Sequence, residues 1–322
     1  MAKRIFLISV LALLAFSFAC GANFALAKYP EKKIRLIIPY APGGGIDIVA
    51  RPLAHYVNPY LDNRVYCENL PGAAGAIGSR EGAKAAPDGY TLTMLHAALM
   101  MGQHTMKDFP TYTLFDPICI VCQDCITLVV NVDSHFRTAN DLISYAKAHP
   151  GEVSVGITGH GDGSHFAGLA LSEAFGIKFS FVPYPGAGPA VTAIAGGHVD
   201  ATIAGEASSL ALVKGNKIRP LIVFGNKRSK LYPDTPIAKE LGYDIYVPTF
   251  RGVGVPKGTP KEIKDVLVEA FRRAVEEEGF KKLMDQMGLD VMFLGPEEAS
   301  PWLKALDDFF RNLAGQIGLK PK

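Results

Sequence analysis

Residues 33–51 have the sequence Lys33-Ile-Arg-Leu-Ile-Ile-Pro-Tyr-Ala-Pro-Gly-Gly-Gly-Ile-Asp-Ile-Val-Ala-Arg51. The apolar run Ile34–Ile38 predicts a buried strand, the Pro/Gly segment predicts a turn, and a helix is expected to open near Asp47. Consecutive glycines let the backbone approach a ligand closely and adopt φ angles that side chains disfavour. Because a helix N-terminus directs unpaired N–H groups and a positive dipole end at the preceding loop, this corner predicts an anion-binding site.

The glycine-rich turn matches neither of the common nucleotide-binding motifs. A dinucleotide fingerprint needs a third glycine where Ile48 stands, and a P-loop needs Gly-Lys-Ser/Thr where the sequence has Gly45-Ile-Asp47. A nucleotide is therefore not expected at this corner; the rest of the chain favours a carboxylate, and a tight turn without a ligand is the alternative. Asp47 is interpreted as an N-cap or first-turn residue of the helix, because its own charge would repel an anion.

The composition is that of a folded, exported protein. With 322 residues, of which 48% are hydrophobic, the chain is long enough for two ordinary domain cores. Lys3-Arg4, the apolar run Ile5 to Ala19 and the motif Ala25-Leu-Ala27 have the pattern of a secretory signal peptide. Residues 1–27 are therefore predicted to be removed after Ala27, which places the mature protein in the periplasm. A membrane anchor and a lipoprotein attached through Cys20 are the less favoured alternatives.

The charge balance limits the class of partner. The 33 Lys and Arg residues stand against 31 Asp and Glu residues, and removal of Lys3 and Arg4 makes the two numbers equal. A net charge near zero argues against nucleic acid or an anionic membrane surface as the partner. No second apolar segment reaches the length of a bilayer span, so a soluble, monomeric exported protein is predicted.

Four cysteines follow the predicted cleavage site: Cys67, Cys119, Cys122 and Cys125. The spacing of the last three suggests a metal or redox site, but no fourth ligand stands at a recognisable distance. The segment Ile118–Val130 is interpreted as a strand, in which residues three apart are expected to point to opposite faces and not to chelate together. Packing within the strand is preferred, and a disulfide through Cys67 is the alternative. No metal and no cofactor are predicted.

Strands and helices alternate along the chain, which predicts an α/β fold with a mostly parallel sheet covered by helices. The strand Ile118–Val130 and the segment Tyr246–Val255 are each expected to cross between two lobes. The predicted domains are residues 28–126 with 248–322 for the first, discontinuous lobe and residues 127–247 for the second. The last helix is predicted to begin at Ser300-Pro301, with serine as its cap and proline in its first turn.

Two further glycine-rich corners resemble the first. The predicted strand Val153–Ile157 leads into Thr158-Gly-His-Gly-Asp-Gly-Ser164, and Phe179–Pro183 leads into Tyr184-Pro-Gly-Ala-Gly-Pro189. A helix is predicted after each loop. The similarity predicts corners of the two lobes that face one another and present bare main-chain donors to one negatively charged molecule.

An enzyme is the competing interpretation. Ser164 lies in Gly-Asp-Gly-Ser-His, which is not the nucleophile elbow G-x-S-x-G. His160, Asp162 and His165 form only a weak metal pattern, and a loop or pocket-lining role is preferred. No acid/base pair stands out, so no catalytic residue is predicted. An exported α/β hydrolase-like enzyme that uses Ser164 or the histidines stays open as the alternative.

A set of short motifs runs along the whole predicted mature chain. In the first half they are Tyr29-Pro30, Ile38 through Asp47, Arg51, Glu68 through Gly75 and Pro87 through Thr91. In the second half they are Gly159 through Ser164, Val182 through Ala190, Gly196 through Asp200, Thr235-Pro236 with Glu240 through Gly242, and Gly252 through Pro260. This combination resembles the signature of the periplasmic solute receptors of tripartite tricarboxylate transporters, the Bug-type family.

The resemblance implies a two-lobed periplasmic-binding-protein type II fold, the Venus flytrap, which closes over a carboxylated solute. Receptors of that family hold carboxylates largely through backbone amides and waters, which agrees with the glycine corners and the lack of an obvious arginine clamp. The substrate-binding residues predicted from the corners and the resemblance are Tyr40, Ala41, Pro42, Gly43, Gly44, Gly45, Asp47, Gly75, His96, Thr158, Gly159, Gly163, Ser164, His165, Tyr184, Gly186 and Ala187.

The segment Leu95–Met101 departs from the family pattern, because a more polar loop is usual there. An apolar wall rich in His and Met favours a solute with a hydrophobic body over citrate. The predicted function is capture of a small organic mono-, di- or tricarboxylate and its delivery to integral-membrane transporter subunits. A ligand sensor that feeds a signalling partner is a further alternative.

Overall fold

The computed structural model describes residues 29–104 and 106–319, so the predicted signal peptide lies outside the described residues. The strands are β1 (Ile34–Ile38), β2 (Val65–Asn69), β3 (Thr91–His96), β4 (Phe115–Asn131), β5 (Ser154–Ile157), β6 (Ser180–Pro183), β7 (Ala201–Gly205), β8 (Ile218–Val223), β9 (Pro248–Pro256) and β10 (Asp290–Leu294). The helices are α1 (Asp47–Val57), α2 (Ala76–Lys84), α3 (Ala98–Met101), α4 (Ala139–Ala148), α5 (Gly163–Phe175), α6 (Ala187–Ala195), α7 (Glu206–Lys214), α8 (Lys261–Glu276), α9 (Glu278–Gln286) and α10 (Pro296–Gln316).

The strands form two sheets, one in each lobe. In the first lobe the order is β2-β1-β3-β9-β4-β10, with β2, β1 and β3 parallel and the remaining pairs antiparallel. In the second lobe the order is β8-β4-β7-β5-β6, with β7, β5 and β6 parallel. The parallel pairs follow from the strand–helix alternation in the sequence, because a parallel neighbour needs a crossover connection. The predicted α/β fold with two lobes is confirmed.

Strand β4 joins the two lobes. Its first part pairs with β9 as far as Cys125, and from Ile126 onward it pairs with β7 and β8. The 17-residue strand therefore crosses from one sheet into the other without a break, as the long apolar run in the sequence indicated. The domain limits placed near this point stay a prediction.

Each lobe has its own apolar core. In the first lobe the buried residues of β1 pack with those of α1 and α8, such as Ile34, Leu53 and Phe271. In the second lobe the central residues of β4 and β7 pack with α5, including Leu128 and Phe166. Within the described ranges, no helix combines the length and the apolar character needed to cross a bilayer.

The start predicted for the last helix is wrong. Helix α10 begins at Pro296, where proline occupies the first turn, and the Gly295 amide donates to the Glu298 carboxylate at 3.2 Å. These features satisfy the helix start four residues before Ser300. The Ser300 hydroxyl donates to the Pro296 carbonyl inside the helix instead of capping it.

The apolar face of α10, which directly follows the last strand of the first lobe, packs with residues of both lobes. The ring of Phe310 lies edge-on to Phe166 of α5, with 6.4 Å between ring centroids, and Trp302 lies edge-on to Phe250 of β9 at 5.1 Å. Phe310 is fully buried. The last helix therefore contributes to the core of the second lobe and also packs against the first-lobe sheet.

The four described cysteines are free thiols, and one prediction about them is wrong. Cys119 and Cys122 were expected on opposite faces of the strand, yet both are buried in the core of the first lobe. The pairing register of β4 with β9 shifts between Ile120 and Cys122. Such a bulge inserts one extra residue and reverses the alternation of side chains beyond it. Burial raises the pKa of the Cys122 thiol to about 12, so this thiol is unreactive at neutral pH.

Replacing Phe310 by alanine is expected to lower the free energy of unfolding by about 3–5 kcal/mol, because it opens a cavity at the centre of the second lobe. The matched control is Phe309→Ala on the same helix, where the side chain is 36% exposed and the loss should be about 1 kcal/mol. Urea denaturation measures both. Equal losses for the two variants would contradict the packing of α10.

Candidate functional site

A cavity of about 80 Å³ lies between the two lobes. Its wall in the first lobe consists of Tyr40, Gly44, Gly45, Ile46, His96, Ala97, Ala98, Thr249 and Arg251. Its wall in the second lobe consists of Ile126, Thr158, Asp162, Gly163, Ser164, Ala187, Ala204, Gly205 and Ser208. The three glycine-rich corners and the crossing strands all contribute, so the cavity is the place where a solute can contact both lobes.

The predicted substrate-binding residues divide into two groups by position. The residues that line the cavity are Tyr40, Gly44, Gly45, His96, Thr158, Gly163, Ser164 and Ala187. The residues that do not line it are Ala41, Pro42, Gly43, Asp47, Gly75, Gly159, His165, Tyr184 and Gly186. The role of either group in binding stays a prediction.

Asp47 stabilises the first loop from behind. Its carboxylate accepts from the Gly43 amide at 3.0 Å, from Arg51 at 3.0 Å and from Asn69 at 2.9 Å. Burial acts to raise the pKa of Asp47, but these donors outweigh burial and hold the pKa below its usual value. Asp47 is therefore a first-turn residue that fixes the loop.

The two lobes touch each other at the corners. The Ala41 amide of the first loop donates to the Pro185 carbonyl of the third at 3.1 Å. A Cβ atom added at Gly188 would lie 2.5 Å from the Pro42 carbonyl oxygen, and one at Gly159 would lie 2.8 Å from Ala74. These glycines allow the backbones of the two lobes to approach closely. The structure is therefore that of the closed arrangement.

The second corner is not the bare anion site that its sequence predicted. Asp162 accepts from the amides of Ser164 and His165 at 3.0 and 3.2 Å, and from the Ser164 hydroxyl at 2.6 Å. The Thr158 hydroxyl donates to the other carboxylate oxygen. Asp162 is thus the N-cap of α5, and its charge already occupies the positive end of that helix.

Three other helices begin at the cavity without a side-chain cap. These are α1 after Gly45 and Ile46, α6 at Ala187, and α7 after Gly205. A Cβ atom added at Gly44 would lie 3.5 Å from the Ala187 nitrogen, so the first amides of α6 adjoin the first loop. Asp47 and Glu206 stand in the first turns of α1 and α7 and offset the dipoles of those helices, so the N-terminus of α6 is the one that favours an anion in the cavity.

Arg251 is a cavity residue that the sequence interpretation missed, and the expected lack of an arginine clamp is wrong. It lies in β9 and is 3% exposed. Its Nε donates to the Gly45 carbonyl at 3.1 Å and one terminal nitrogen donates to Asp124 at 3.0 Å. The other terminal nitrogen is buried with no partner in the described chain. A charged residue within the otherwise uncharged run Pro248–Pro256 was the signal for it.

Ser208 is a second missed residue, in the first turn of α7. Its hydroxyl is buried and has no hydrogen-bond partner among the described residues. A Cβ atom added at Gly45 would lie 3.2 Å from this hydroxyl and 2.4 Å from the Arg251 nitrogen that donates to Asp124. The side chains of Ser208 and Arg251 therefore both adjoin the first loop at Gly45. No sequence signal marked Ser208, since a serine in a helix is common.

His96 faces the cavity next to Arg251, because the two residues are directly opposite each other on β3 and β9. Its Nε2 lies 3.2 Å from the Ser79 hydroxyl, and its ring is edge-on to Tyr40 at 5.1 Å. Burial, together with the charge of Arg251, lowers the pKa of His96 to about 3. The imidazole is therefore uncharged at neutral pH.

The segment Leu95–Met101 does not form the predicted wall rich in His and Met. His96, Ala97 and Ala98 line the cavity, but Met100 and Met101 are fully buried in the core. The short helix α3 turns the methionines away from the cavity. The apolar part of the wall is therefore made by alanines together with Ile46 and Ile126.

Glu206, which follows the cavity residue Gly205, has an unusually high pKa for a glutamate. Burial and the nearby Asp124 raise its pKa to about 7, and hydrogen bonds from Ser229 and Thr127 oppose that rise. The group is consequently close to half-protonated at neutral pH. Its titration should be visible in the stability of the protein.

The geometry around Ser164 does not form a catalytic site. Its hydroxyl donates to Asp162 and accepts from the Thr158 amide at 2.8 Å. No imidazole nitrogen of the described chain is hydrogen-bonded to it, since His165 Nδ1 accepts from the Gly161 amide. Among the described residues, no three His, Cys, Asp or Glu side chains are placed to hold a metal ion.

Comparison with known proteins gives matches over most of the chain. The family model for the tripartite tricarboxylate transporter family receptor matches residues 49–300. Protein BugT of Bordetella pertussis is 30% identical over 321 residues, which cover 98% of each chain. The solved structure of periplasmic binding protein BugD is 30% identical, covers 91% of this chain and 100% of that chain, and has a TM-score of 0.87. R. palustris Rpa4515, solved with adipate, has a TM-score of 0.86 at 24% identity and covers 92% and 100%; it is similar in fold.

Replacing Gly188 by alanine should separate the lobes, because its Cβ atom would press on the Pro42 carbonyl across the interface. We expect a larger radius of gyration in small-angle X-ray scattering and an unchanged free energy of unfolding. The control is Gly315→Ala in α10, where an added Cβ atom meets nothing within 4 Å. Identical scattering of the Gly188 variant and the wild type would contradict the closed contact.

The Glu206→Gln variant should change how stability depends on pH. The folded pKa of about 7 lies above the usual 4.5, so the unfolded chain binds fewer protons between these values and stability falls as pH rises through 7. The loss is at most about 3 kcal/mol by pH 8. Urea denaturation at pH 5 and 8 should show a smaller loss for the variant than for wild type. Glu240→Gln, at a carboxylate whose pKa is lowered by Arg228, should keep the wild-type loss.

Proposed function

This chain belongs to the tripartite tricarboxylate transporter receptor family, and we propose that it binds a small organic carboxylate between its lobes and delivers it to integral-membrane transporter subunits. It is a solute-binding receptor and not an enzyme. Its two-lobed fold is that of periplasmic binding proteins. In this proposal residues 1–27 direct export to the periplasm and are removed after Ala27.

The observation that carries the proposal is the donor group at Arg251 and Ser208. A buried guanidinium nitrogen and a buried hydroxyl, both without partners in the described chain, belong to two residues that line the cavity. Leaving such groups unpaired in the interior is costly, and a carboxylate oxygen is the acceptor that suits both. In this proposal, side chains as well as backbone groups bind the carboxylate.

Main-chain groups add to the same preference. The N-terminus of α6 meets the cavity with no side-chain cap and no acidic residue in its first turn, so its dipole favours negative charge there. Gly44 and Gly45 are buried in the first loop, which allows the backbone to approach a bound carboxylate. The backbone amides of the first and third corners thus supplement the contacts of Arg251.

Binding and closure are coupled in this proposal. Arg251 belongs to the first lobe and Ser208 to the second, so a carboxylate that contacts both binds the closed arrangement more tightly than an open one. A ligand shifts such an equilibrium only by its difference in affinity for the two arrangements. The transporter can then distinguish the loaded receptor from the empty one by the relative position of the lobes.

Ser208→Ala is expected to weaken carboxylate binding about tenfold to a hundredfold, since a hydrogen bond to a charged group contributes about 1.5–3 kcal/mol. The matched control is Ser209→Ala, which changes the adjacent serine, whose hydroxyl lies 3.5 Å from the Gly205 carbonyl. A thermal-shift screen of acids that includes adipate identifies the probe, and calorimetry gives the affinities. Stabilisation by neutral solutes and by no acid would contradict the proposal.

A further inference from the structure

Three residues that line the cavity each have a buried polar atom with no hydrogen-bond partner in the described chain: His96 Nδ1, Ser208 Oγ and one terminal nitrogen of Arg251. A buried polar group without a partner is costly, so three of them around one cavity call for a ligand with matching atoms. The kind of ligand atom that can bond to each of these three protein atoms limits the class of solute. This inference about the solute rests on the proposed function.

The position of the proton on His96 follows from its contact with Ser79. Ser79 is fully buried, and its hydroxyl has one hydrogen-bonding contact in the described chain, with His96 Nε2 at 3.2 Å. A hydroxyl has one proton to donate, and a buried donor without an acceptor costs more than an unused lone pair. Ser79 therefore donates to Nε2. The ring proton then lies on Nδ1, which makes His96 a donor toward the cavity.

This donor carries no charge. Burial and Arg251 keep the imidazole neutral, as its pKa of about 3 indicates. A neutral donor favours an uncharged acceptor such as a carbonyl oxygen, while the guanidinium beside it favours the carboxylate. Because His96 and Arg251 stand directly opposite each other on adjacent strands, the two acceptor groups have to be close together in the ligand.

The charges around the cavity favour a solute with one carboxylate. Arg251 is the single cation among the described residues that line it, and Asp124 already occupies one of its terminal nitrogens. Asp162 adds a carboxylate to the wall, where it accepts from two amides and two hydroxyls. Burial raises the pKa of Asp162, and these donors oppose the rise. A second carboxylate on the solute would face the Asp162 oxygens without a cation of its own.

The side-chain carboxylates at the cavity are already engaged, which favours an oxo group over a hydroxyl. A hydroxyl at His96 could accept from Nδ1, but its own proton would need an acceptor. Asp162 is occupied by its four donors, and Asp124 is held by Arg251. An oxo oxygen carries no proton and therefore needs no acceptor.

The volume of the cavity limits the length of the solute. A volume of about 80 Å³ corresponds to about six water-sized groups at roughly 10–15 Å³ each, which favours a short acid.

We propose that the solute is a short 2-oxo monocarboxylate. Its carboxylate binds Arg251 and Ser208, and its oxo oxygen accepts from His96 Nδ1. The small side chains Ala97, Ala98 and Ala204 surround the remaining carbon atoms. The description of the family names tricarboxylates, whereas in this proposal the chain is specific for a solute with a single negative charge.

Isothermal titration of the full mature chain with 2-oxobutyrate, 2-hydroxybutyrate, butyrate and succinate tests the assignment. We expect 2-oxobutyrate to bind about tenfold or more tightly than butyrate, which corresponds to one buried hydrogen bond. His96→Leu should bring this ratio close to one, and His96→Asn, which retains an N–H near Nδ1, should restore part of it. Thr93→Val is the control, since it removes another unpaired buried hydroxyl of β3 that does not line the cavity.

Ser79→Ala provides a second test should His96→Leu fail to fold. Without the Ser79 hydroxyl, Nε2 is free to carry the proton, so the preference for the oxo acid over the hydroxy acid should fall. Equal binding of butyrate and 2-oxobutyrate by wild type, or tighter binding of succinate than of either, would overturn the 2-oxo assignment and leave the carboxylate receptor intact. Failure of all four acids, with binding of a neutral solute instead, would overturn the proposed function itself.

Discussion

The buried contact of Arg251 with Asp124 and Gly45 is the constraint on which the site depends. It connects β9, the end of the first-lobe part of β4, and the glycine loop before α1. A buried ion pair is weak evidence for stability, because desolvation of both charges offsets their attraction. Its effect here is geometric: two acceptors hold the guanidinium at the cavity between the lobes, and one of its nitrogens is left without a partner in the described chain.

The four helix N-termini at the cavity are of two kinds. The ends of α5, α1 and α7 carry their own acidic residues, Asp162, Asp47 and Glu206, whereas α6 begins at the cavity with neither a side-chain cap nor an acidic residue in its first turn. The dipole of α6 is therefore the one that is left to attract an anion in the cavity. Glycine at the contact points allows the loops that carry these helix ends to approach from opposite lobes.

The sequence predicted the fold and much of the cavity wall, for physical reasons that are specific to each element. Strand–helix alternation and the long apolar run through Ile118–Val130 predicted the two sheets and the strand that joins them. The glycine corners were found because turns and close approach require glycine. Arg251 and Ser208 were missed, since their partnership with Gly45 joins residues about 200 positions apart. The start of α10 and the faces of Cys119 and Cys122 depended on a cap and a bulge that periodicity does not encode.

The packing of the last quarter of the chain determines when during synthesis the protein can fold. The first-lobe core includes Leu267 and Phe280, and the second-lobe core includes Leu303 and Phe310. Neither hydrophobic core is complete, therefore, until the C-terminal helices have been synthesised. Contacts so distant in sequence form slowly because long loops must be closed first. An emerging polypeptide with this topology remains unfolded for longer, which suits translocation through a narrow secretion channel before folding on the far side.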